Sequence, residues 1–517
     1  MTIAKLSLWT TSATLVACGP PDDPGSATEA TSTSTGPDDA STTGATPTTL
    51  TTQEDSGDST TGDDGTDSDS AGAICGDPGQ VRWIRQFDAY PDTGHNATSL
   101  AVDGAGNVIL VGAFFGTADF GGETFVVTDP HSDAFVAKFD TGGNHVWSRH
   151  FGGPGEQRID VVAVDEDGTI ALGGRFSGEI DVGGGPLTSV SFMDVVVANL
   201  TPDGEHVWSR NFTSSDEFTT GLVTEIAIAG GETVLTADLQ DSSDFGGGPL
   251  GLPDSLNSFV VKLDAGGGHV WSHAMGSGGP WSFESSGVAV NVAGEVWVTG
   301  RFEKEANFGG GPPVPVAETS LYVSHFTAGG QLLEVLSPAS QATTHAPYAS
   351  ALVTDHDGRL YLGGSFSGEL EFGGSTLTST GRQDGFVVAL DGGGAPLWHR
   401  AFGAGEDPAQ RLFDIASDPA GRTAIAGDFE TAIDFGGDVS LAGNLGVDGY
   451  VAKLDADGSP LWARALGTAQ WGDASEVGID VDGAVYVVGA FRDSLTIDGH
   501  ALEEIDGYDM VLMKLCP

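Results

Sequence analysis

The amino-acid sequence predicts an all-β fold for residues 75–517, and three observations predict it. A unit recurs along this stretch at intervals of 61 to 64 residues. Each unit contains short runs rich in β-branched and aromatic residues and bounded by Gly and Asp, such as "NVILVGAF" and "EVWVTGRF". No stretch shows a sustained helical period. About four short strands in each of seven units predict one blade per unit, and therefore a seven-bladed β-propeller.

The repeat count rests on a tryptophan that opens one strand of each unit. Its copies are Trp83, Trp147, Trp208, Trp271, Trp398 and Trp462. Glu334 stands where the register requires one more, so there are seven landmarks. A column of small residues gives the same count: Gly112, Gly174, Ala237, Gly300, Gly364, Gly427 and Gly489. Glycine inside a strand marks the close approach of another backbone, which predicts crowding near a shared axis. A β-solenoid is the alternative fold, although its repeats are usually shorter.

The stretches "AVDGAGNVILVGAFFGTADFGG" and "VDGAVYVVGAF" resemble the bacterial β-propeller repeat called SBBP. The resemblance covers the chain from Val81 to Leu515, apart from Glu334, which departs from the tryptophan landmark. It implies a propeller fold and a secreted or surface setting. It supplies no active site to transfer to this sequence.

Two cysteines occupy nearly the same place in the repeat, at opposite ends of the chain. In the copies ending at Asp140 and Asp455 the acidic residue lies seven residues before the tryptophan, and Cys75 lies eight residues before Trp83. Cys516 replaces that acidic residue in the last copy, which stops before its tryptophan strand. We therefore predict that the first strand completes the last blade and that a disulfide between Cys75 and Cys516 closes the seam. Two unrelated free thiols are the alternative.

The first residues, "MTIAKLSLWTTSATLVAC", are typical of an export signal over residues 1–17, because the apolar stretch is too short to span a bilayer. "LVAC" resembles the bacterial lipobox, which implies that Cys18 is diacylated. An ordinary signal cleaved nearby is the alternative, and it would leave Cys18 as an unpaired thiol in an oxidising compartment. Residues 18–74 hold 22 Ser or Thr, 12 acidic residues and no aromatic, Lys or Arg residue, which predicts a lipid-anchored disordered linker.

Charge narrows the classes of partner. The chain carries 73 acidic and 20 basic residues, which argues against nucleic acid, whose phosphates require Lys and Arg. It argues equally against docking on anionic lipid and fits a soluble, self-repelling monomer. The expected partners are a lipid bilayer, through acyl chains on Cys18, and an unidentified protein or carbohydrate. The expected location is the bacterial cell envelope, at the outer membrane or the cell surface.

Asp/Gly turns recur, and their carboxylates are the candidates for metal ligands. The pairs that would begin a calcium loop are Asp165 and Asp167, Asp355 and Asp357, and Asp455 and Asp457. The stretch "FGGPGEQRIDVVAVDEDG" resembles integrin-like propeller repeats, which implies calcium binding. A calcium site needs about six to eight oxygens, and these loops lack the later acidic ligands. Backbone geometry alone explains Asp and Gly in hairpin turns, so we expect no cofactor and keep calcium as the alternative.

Three further columns are predicted to be structural. A short polar residue before the "FVAKFD" strand predicts a backbone hydrogen bond in each blade: Asp133, Asp194, Asn257, Ser320, Asp384, Asp448 and Asp509. Histidines two residues before the tryptophan should lie too far apart for zinc: His145, His206 and His269. Basic residues two after it are expected to pair with carboxylates, with an anion site as the alternative: Arg85, Arg149, Arg210, His273, Arg400 and Arg464. The tryptophans themselves are expected to pack between blades rather than to bind carbohydrate.

The sequence contains no GxSxG, HExxH, P-loop or CxxC motif, and it predicts no catalytic residue. We therefore expect a non-catalytic binding or interaction module. The rival is an extracellular polysaccharide hydrolase or lyase with carboxylates in the central funnel. An enzyme should show non-repeated carboxylates and aromatic residues clustered at one end of the axis. A scaffold should show only repeated residues there.

Overall fold

The computed structural model describes residues 75–87, 96–127, 130–213, 221–240, 242–251, 256–276, 283–405, 409–466, 468–503 and 509–517. These ranges contain strands and turns and no helix, and hence no helix that could cross a membrane. The predicted signal peptide, the predicted linker and Cys18 lie outside the described residues.

The first described strand, β1 (Val81–Phe87), belongs to the last sheet. Antiparallel four-stranded sheets follow, with their strands hydrogen-bonded in chain order. Sheet 1 contains β2 (Asn96–Val102), β3 (Val108–Phe114), β6 (Asp133–Phe139) and β7 (His145–Phe151), and the hairpin β4 (Thr117–Ala118) and β5 (Phe125–Val126) follows β3. Sheet 2 contains β8 (Gln157–Val164), β9 (Ile170–Phe176), β12 (Asp194–Leu200) and β13 (His206–Phe212), with the hairpin β10 (Glu179–Ile180) and β11 (Leu187–Thr188). Sheet 3 contains β14 (Leu222–Ala229), β15 (Glu232–Gln240), β18 (Leu256–Leu263) and β19 (His269–Met275), with the hairpin β16 (Ser243–Asp244) and β17 (Pro249–Leu250).

The remaining sheets follow the same order. Sheet 4 contains β20 (Phe283–Val290), β21 (Val296–Ala306), β22 (Val314–Phe326) and β23 (Leu332–Leu336). Sheet 5 contains β25 (Tyr348–Thr354), β26 (Leu360–Phe366), β29 (Asp384–Leu390) and β30 (Pro396–Phe402), beside a small sheet of β24 (Ala339–Gln341), β27 (Glu369–Phe372) and β28 (Ser375–Thr378). Sheet 6 contains β31 (Gln410–Ser417), β32 (Thr423–Gly436), β33 (Val439–Leu454) and β34 (Pro460–Ala465). Sheet 7 contains β35 (Thr468–Ile479), β36 (Val485–Ile497), β38 (Asp509–Leu515) and β1, with β37 (His500–Glu503) beside β36.

Sheet 7 is built from both ends of the described chain. β38 pairs with β36 on one side and with β1 on the other, antiparallel in both cases. Val81 lies opposite Leu515, and Phe87 lies opposite Met510. The predicted sharing of the last sheet between the first and last strands is confirmed.

The sheets pack face to face around an axis. The first strand of each sheet contacts the first strand of the next, and β35 contacts β2. The core lies between neighbouring sheets: Phe114 and Phe135 of sheet 1, for example, pack with Tyr486 and Leu512 of sheet 7. β3 and β9 are buried along their whole length because both faces of their sheets are covered. This fold is a β-propeller.

The glycine column in the second strands lies beneath the backbone of the first strands. A Cβ atom on Gly300 would lie 2.0 Å from the carbonyl oxygen of Glu284, and one on Gly174 would lie 2.2 Å from that of Arg158. Any side chain would clash there, so the predicted close approach of a second backbone is confirmed. The first strands bulge at this level, as around Asp160, and a bulge redirects the side chains near it.

Candidate functional site

The calcium candidates use their carboxylates to hold turns. Five of the six accept hydrogen bonds from backbone N–H groups: Asp165 from Glu166 and Gly231, Asp167 from Thr169, Asp355 from Arg359, Asp455 from Ala456, and Asp457 from Ser459. Asp355 also accepts from the Tyr361 hydroxyl, and Asp357 forms an ion pair with Arg359. Such contacts are those of polar turn residues. Within the described ranges, no three His, Cys, Asp or Glu side chains are grouped so as to hold a metal ion. Calcium at these loops stays an untested alternative.

The three histidines each pack on a glycine turn of their own sheet. His145 Nε2 lies 3.1 Å from Ser148 Oγ, and the ring lies over Gly122. His206 and His269 repeat this arrangement, each with the serine three residues further on. Because each ring contacts a different sheet, the geometry agrees with the structural role predicted for this column.

The tryptophans lie at the seams between sheets, as predicted. The ring of Trp147 packs on Gly204 of the next sheet, and its indole N–H donates to the carbonyl of Pro202 at 3.1 Å. Arg149 Nε donates to the carbonyl of Gly204, also at 3.1 Å. The same two contacts recur at other seams, for Trp83 with Arg85 and for Trp398 with Arg400.

These contacts correct the pairing expected for the basic column. Carboxylates were the expected partners, and Arg149 does pair with Glu205 at 3.0 Å. The contact that recurs from seam to seam, however, is to a peptide carbonyl of the next turn. The neighbouring indole packs on the glycine of that turn, and the carbonyl of the same glycine accepts the N–H of the guanidinium.

The polar column before the third strand holds the loop that precedes it. Asp194 accepts hydrogen bonds from the backbone N–H groups of Val190 and Ser191, at 2.9 and 3.1 Å. Asp384 makes the equivalent two contacts with its own loop. The predicted backbone hydrogen bond is confirmed for these two copies, whereas Asp133 contacts a histidine of β7.

The predicted disulfide is present at the seam of sheet 7. Cys75 and Cys516 are bonded, with 5.6 Å between their Cα atoms. Gly79 N–H donates to the carbonyl of Cys516 at 3.0 Å. Trp462 of sheet 6 packs on Gly79, so the N-terminal segment supplies the turn that this seam requires.

Residues that break the repeat lie near the axis, at the bulges of the first strands. Five of the seven bulged residues carry a hydroxyl group. The bulged residues of sheets 1 to 7, in order, are Thr98, Asp160, Thr224, Ser286, Ser350, Phe413 and Ser475. Four of these hydroxyls contact the first strand of the next sheet: Thr98 donates to the carbonyl of Ile159 at 2.7 Å, Ser286 donates to that of Ala349 at 2.7 Å, and Thr224 and Ser350 make similar contacts. Asp160 and Phe413 depart from this column.

Glu225, Asp414 and Glu476 directly follow bulges in sheets 3, 6 and 7, and we call them the axial carboxyl cluster. All three are half-buried. Burial raises the pKa of Glu225 to about 8, and the charge of Asp414 adds to the rise. Burial raises the pKa of Asp414 to about 6. Burial and the charges of Asp414 and Glu225 raise the pKa of Glu476 well above its usual range.

Burial therefore favours the protonated form of all three groups. The side-chain contact between Glu476 and Asp414 raises the pKa of Glu476 further and lowers that of Asp414. Glu225 belongs to sheet 3 and Asp414 to sheet 6, so their mutual effect acts across the axis rather than within a sheet.

Arginines at the same level already pair with other carboxylates. Arg158 Nε lies 2.9 Å from Asp160 Oδ1, and Arg175 Nε lies 3.5 Å from Asp160 Oδ2. Further pairs join Arg301 to Glu284 and Arg411 to Asp428. Among the described residues, no cationic side chain forms an ion pair with the axial carboxyl cluster. We call this cluster together with Asp160 and Phe413 the axial site.

No protein-family model matches the chain, and no curated protein matches it. Solved structures do match. The β-propeller domain of the Trilobed protease from Pyrococcus furiosus is 10% identical, with 80% of this chain and 98% of that chain covered and a TM-score of 0.38. Puromycin hydrolase is 11% identical, with 84% of this chain and 58% of that chain covered and a TM-score of 0.42. YCF48 bound to D1 peptide is 10% identical, with 87% of this chain and 99% of that chain covered and a TM-score of 0.37. These likenesses concern the fold alone, and the resemblance to the SBBP repeat stays a prediction.

The axial site combines three carboxyl groups of raised pKa with one aromatic ring. Carboxyl groups donate hydrogen bonds when protonated and accept them when ionised, and hydroxyl-rich ligands require both. Carboxyl groups of raised pKa also serve as general acids in catalysis. Sequence reasoning missed these residues because acidic residues occur throughout the chain. Departure from the hydroxyl column would have signalled Asp160 and Phe413.

Proposed function

We propose that the chain is a lipoprotein of the bacterial cell envelope whose propeller binds a ligand at the axial site without catalysis. In this proposal Cys18 carries the acyl anchor, at the outer membrane or the cell surface. Residues 18–74 form the linker, and residues 75–517 form the binding module. The sequence supports the anchor through "LVAC" behind an export signal.

The same proposal includes seven blades, one for each of sheets 1 to 7. Two features support this number. Every one of these sheets repeats one strand order, and its last strand carries a tryptophan landmark or Glu334. The contacts between first strands also return from sheet 7 to sheet 1.

The observation that carries the binding function is the set of non-repeated residues at the axis. Most hydroxyl residues there bind the next sheet and need no ligand to explain them. Asp160, Phe413 and the axial carboxyl cluster break that pattern, and among the described residues no cation forms an ion pair with the cluster. A few convergent polar groups beside an aromatic or apolar surface are typical of a ligand site. We favour a carbohydrate, whose hydroxyls suit the carboxyl groups and whose apolar face suits Phe413.

One observation favours the rival, a polysaccharide hydrolase or lyase. Three carboxyl groups of raised pKa lie at the axis, and glycosidases use a pair of carboxyl groups of which the acid has a raised pKa. In that alternative a glutamic acid of the axial carboxyl cluster would protonate the leaving oxygen, and Asp414 would act as base or nucleophile. This is the second candidate function.

The experiment that tests both uses a panel of soluble neutral and acidic polysaccharides. Retardation in affinity electrophoresis reports binding, and release of reducing ends reports hydrolysis. The variant combines Glu225→Gln, Asp414→Asn and Glu476→Gln. The matched control is Glu123→Gln, on an exposed hairpin tip.

We expect retardation of the wild type and the control, at least tenfold weaker binding in the triple variant, and no reducing ends. Reducing ends that disappear with Asp414→Asn alone would replace the binding module with the hydrolase. Failure of every polysaccharide to retard the wild type would contradict a carbohydrate ligand.

A further inference from the structure

At a regular seam, one sheet supplies two N–H donors to a turn of the next sheet. Between sheets 5 and 6, the Trp398 indole donates to the carbonyl of Ala456 at 2.8 Å, and Arg400 Nε donates to that of Gly458 at 3.1 Å. The turn thus offers two peptide oxygens, one to an indole and one to a guanidinium. At such a seam the donors and the acceptors of these hydrogen bonds all belong to this chain.

The seam between sheets 4 and 5 has the acceptors without the donors. Glu334 stands in the tryptophan position and Leu336 in the arginine position. Glu334 Oε1 lies 2.6 Å and Leu336 Cδ1 lies 3.4 Å from the point where a Cβ on Gly394 would be. The equivalent carbonyls are those of Gly392 and Gly394, and no described residue donates a hydrogen bond to either. A carboxylate therefore lies beside this turn, where the other seams place an indole that donates an N–H.

A buried imidazole, that of His325, lies beside this turn, and its Nε2 has no hydrogen-bond partner among the described residues. His325 lies opposite Glu334 on the neighbouring strand, and its side chain is 6% exposed. Its Nδ1 lies 4.0 Å from Glu334 Oε1, and its Nε2 lies 3.8 Å from Glu295 Oε2, distances too long for hydrogen bonds. Trp297 stacks on the ring with 3.5 Å between centroids and fixes its position. The stack thus holds the imidazole ring in place beside Glu334.

We propose that this recess, formed by Glu295, His325, Glu334 and the turn carbonyls of Gly392 and Gly394, binds a guanidinium group supplied in trans by an arginine of a partner protein. We call it the guanidinium recess. It is separate from the axial site and goes beyond the function proposed above.

The molecule itself indicates why the ligand should be a guanidinium. The equivalent turn oxygen accepts Arg Nε at several other seams, and Arg149 adds a carboxylate contact to Glu205 at 3.0 Å. The recess offers the same two kinds of partner, a peptide oxygen and a carboxylate. A planar fork of N–H groups can reach both at once, whereas an ammonium presents one point charge.

The test titrates Nα-acetyl-L-arginine amide into the full chain and follows binding by calorimetry, with Nα-acetyl-L-lysine amide as the matched ligand. We expect the arginine probe to bind at least tenfold more tightly than the lysine probe. Glu334→Gln, a conservative change at a partly exposed residue, should weaken the arginine probe at least tenfold. The double variant Glu334→Trp with Leu336→Arg restores the repeat and should abolish binding while keeping the fold.

Equal affinity for the two probes would overturn the proposal, because it would show attraction of any cation to an acidic surface. Binding of the arginine probe that survives both variants would show that the probe does not bind at the guanidinium recess. Calcium or zinc that raises the melting temperature through Glu334, with no response to the arginine probe, would assign the recess to a metal instead. Each outcome is independent of whether polysaccharide binds at the axial site.

Discussion

Cys75 and Cys516 form a disulfide between residues 441 apart in sequence, and β1 pairs with β38 beside it. The last sheet is assembled from both ends of the described chain. Strand β1 can therefore detach from β38 without disturbing the strands that follow one another directly in sequence. Disulfide, strand pairing and the packing of Trp462 on Gly79 all act at this seam.

Loss of the disulfide should destabilise the ring. Cys516→Ser should lower the free energy of unfolding by about 2 to 5 kcal/mol, because the chain-entropy term for so long a loop is at the upper end of what disulfides deliver. Calorimetry measures the change, and limited proteolysis should cut near the Trp83 strand first. Cys18→Ser is the control and should melt as the wild type does. Identical melting of both variants would show that strand pairing alone closes the ring.

The strand that carries Glu334 should open more readily than its counterparts. It lacks the indole and guanidinium contacts that tie Trp147 and its strand to the next sheet, and loss of a buried tryptophan typically costs about 3 to 5 kcal/mol. Hydrogen exchange should therefore be faster in Leu332–Leu336 than in the strands of Trp147 and Trp462. Equal protection would mean that the stack of Trp297 on His325 replaces the missing contacts.

Membrane attachment should depend on Cys18. Cys18→Ser should move the protein from the membrane to the soluble fraction and abolish labelling by a radioactive or clickable fatty acid, because the thiol is the proposed acylation site. Cys516→Ser is the matched control and should remain attached. Retention of the Cys18 variant in membranes would contradict the anchor.

Stability should fall as pH rises from about 4.5 to about 8. Glu225 has a folded-state pKa of about 8 against an ordinary value of 4.5, so between these values the folded chain keeps a proton that the unfolded chain has released. Deprotonation then favours unfolding, by on the order of 1 to 2 kcal/mol once solvent screening is allowed for. Glu225→Gln should flatten the dependence of melting temperature on pH. Glu123→Gln should leave it unchanged, and an equal slope in both variants would show that Glu225 is not the group responsible.

Chelation should leave the ring intact. The carboxylates of Asp165, Asp355 and Asp455 accept hydrogen bonds from the turns themselves, so these turns need no ion to hold their shape. We expect EDTA and added calcium to leave the melting temperature within about 1 °C of its starting value. A rise of several degrees with calcium, lost in Asp165→Asn, would establish the integrin-like alternative.

The sequence by itself determined the repeat, the strand content and the seam. Strand alternation, turn chemistry and crowding at the glycine column are local properties of a repeated unit, so they appear at each copy in the printed chain. The pairing of Cys75 with Cys516 followed from the same register, because two positions equivalent in the repeat become neighbours once a ring closes.

Only the tertiary structure decided which side chains meet across the axis and at the seams. Glu225 and Asp414 lie on different sheets far apart in sequence, and in so acidic a chain nothing distinguishes them until the ring brings them together. The carbonyl partners of the arginines were likewise missed, because peptide oxygens carry no sequence signal. Burial raises the pKa of Glu225, Asp414 and Glu476 alike, and the sequence does not show it because desolvation depends on the whole surrounding fold and not on residue type.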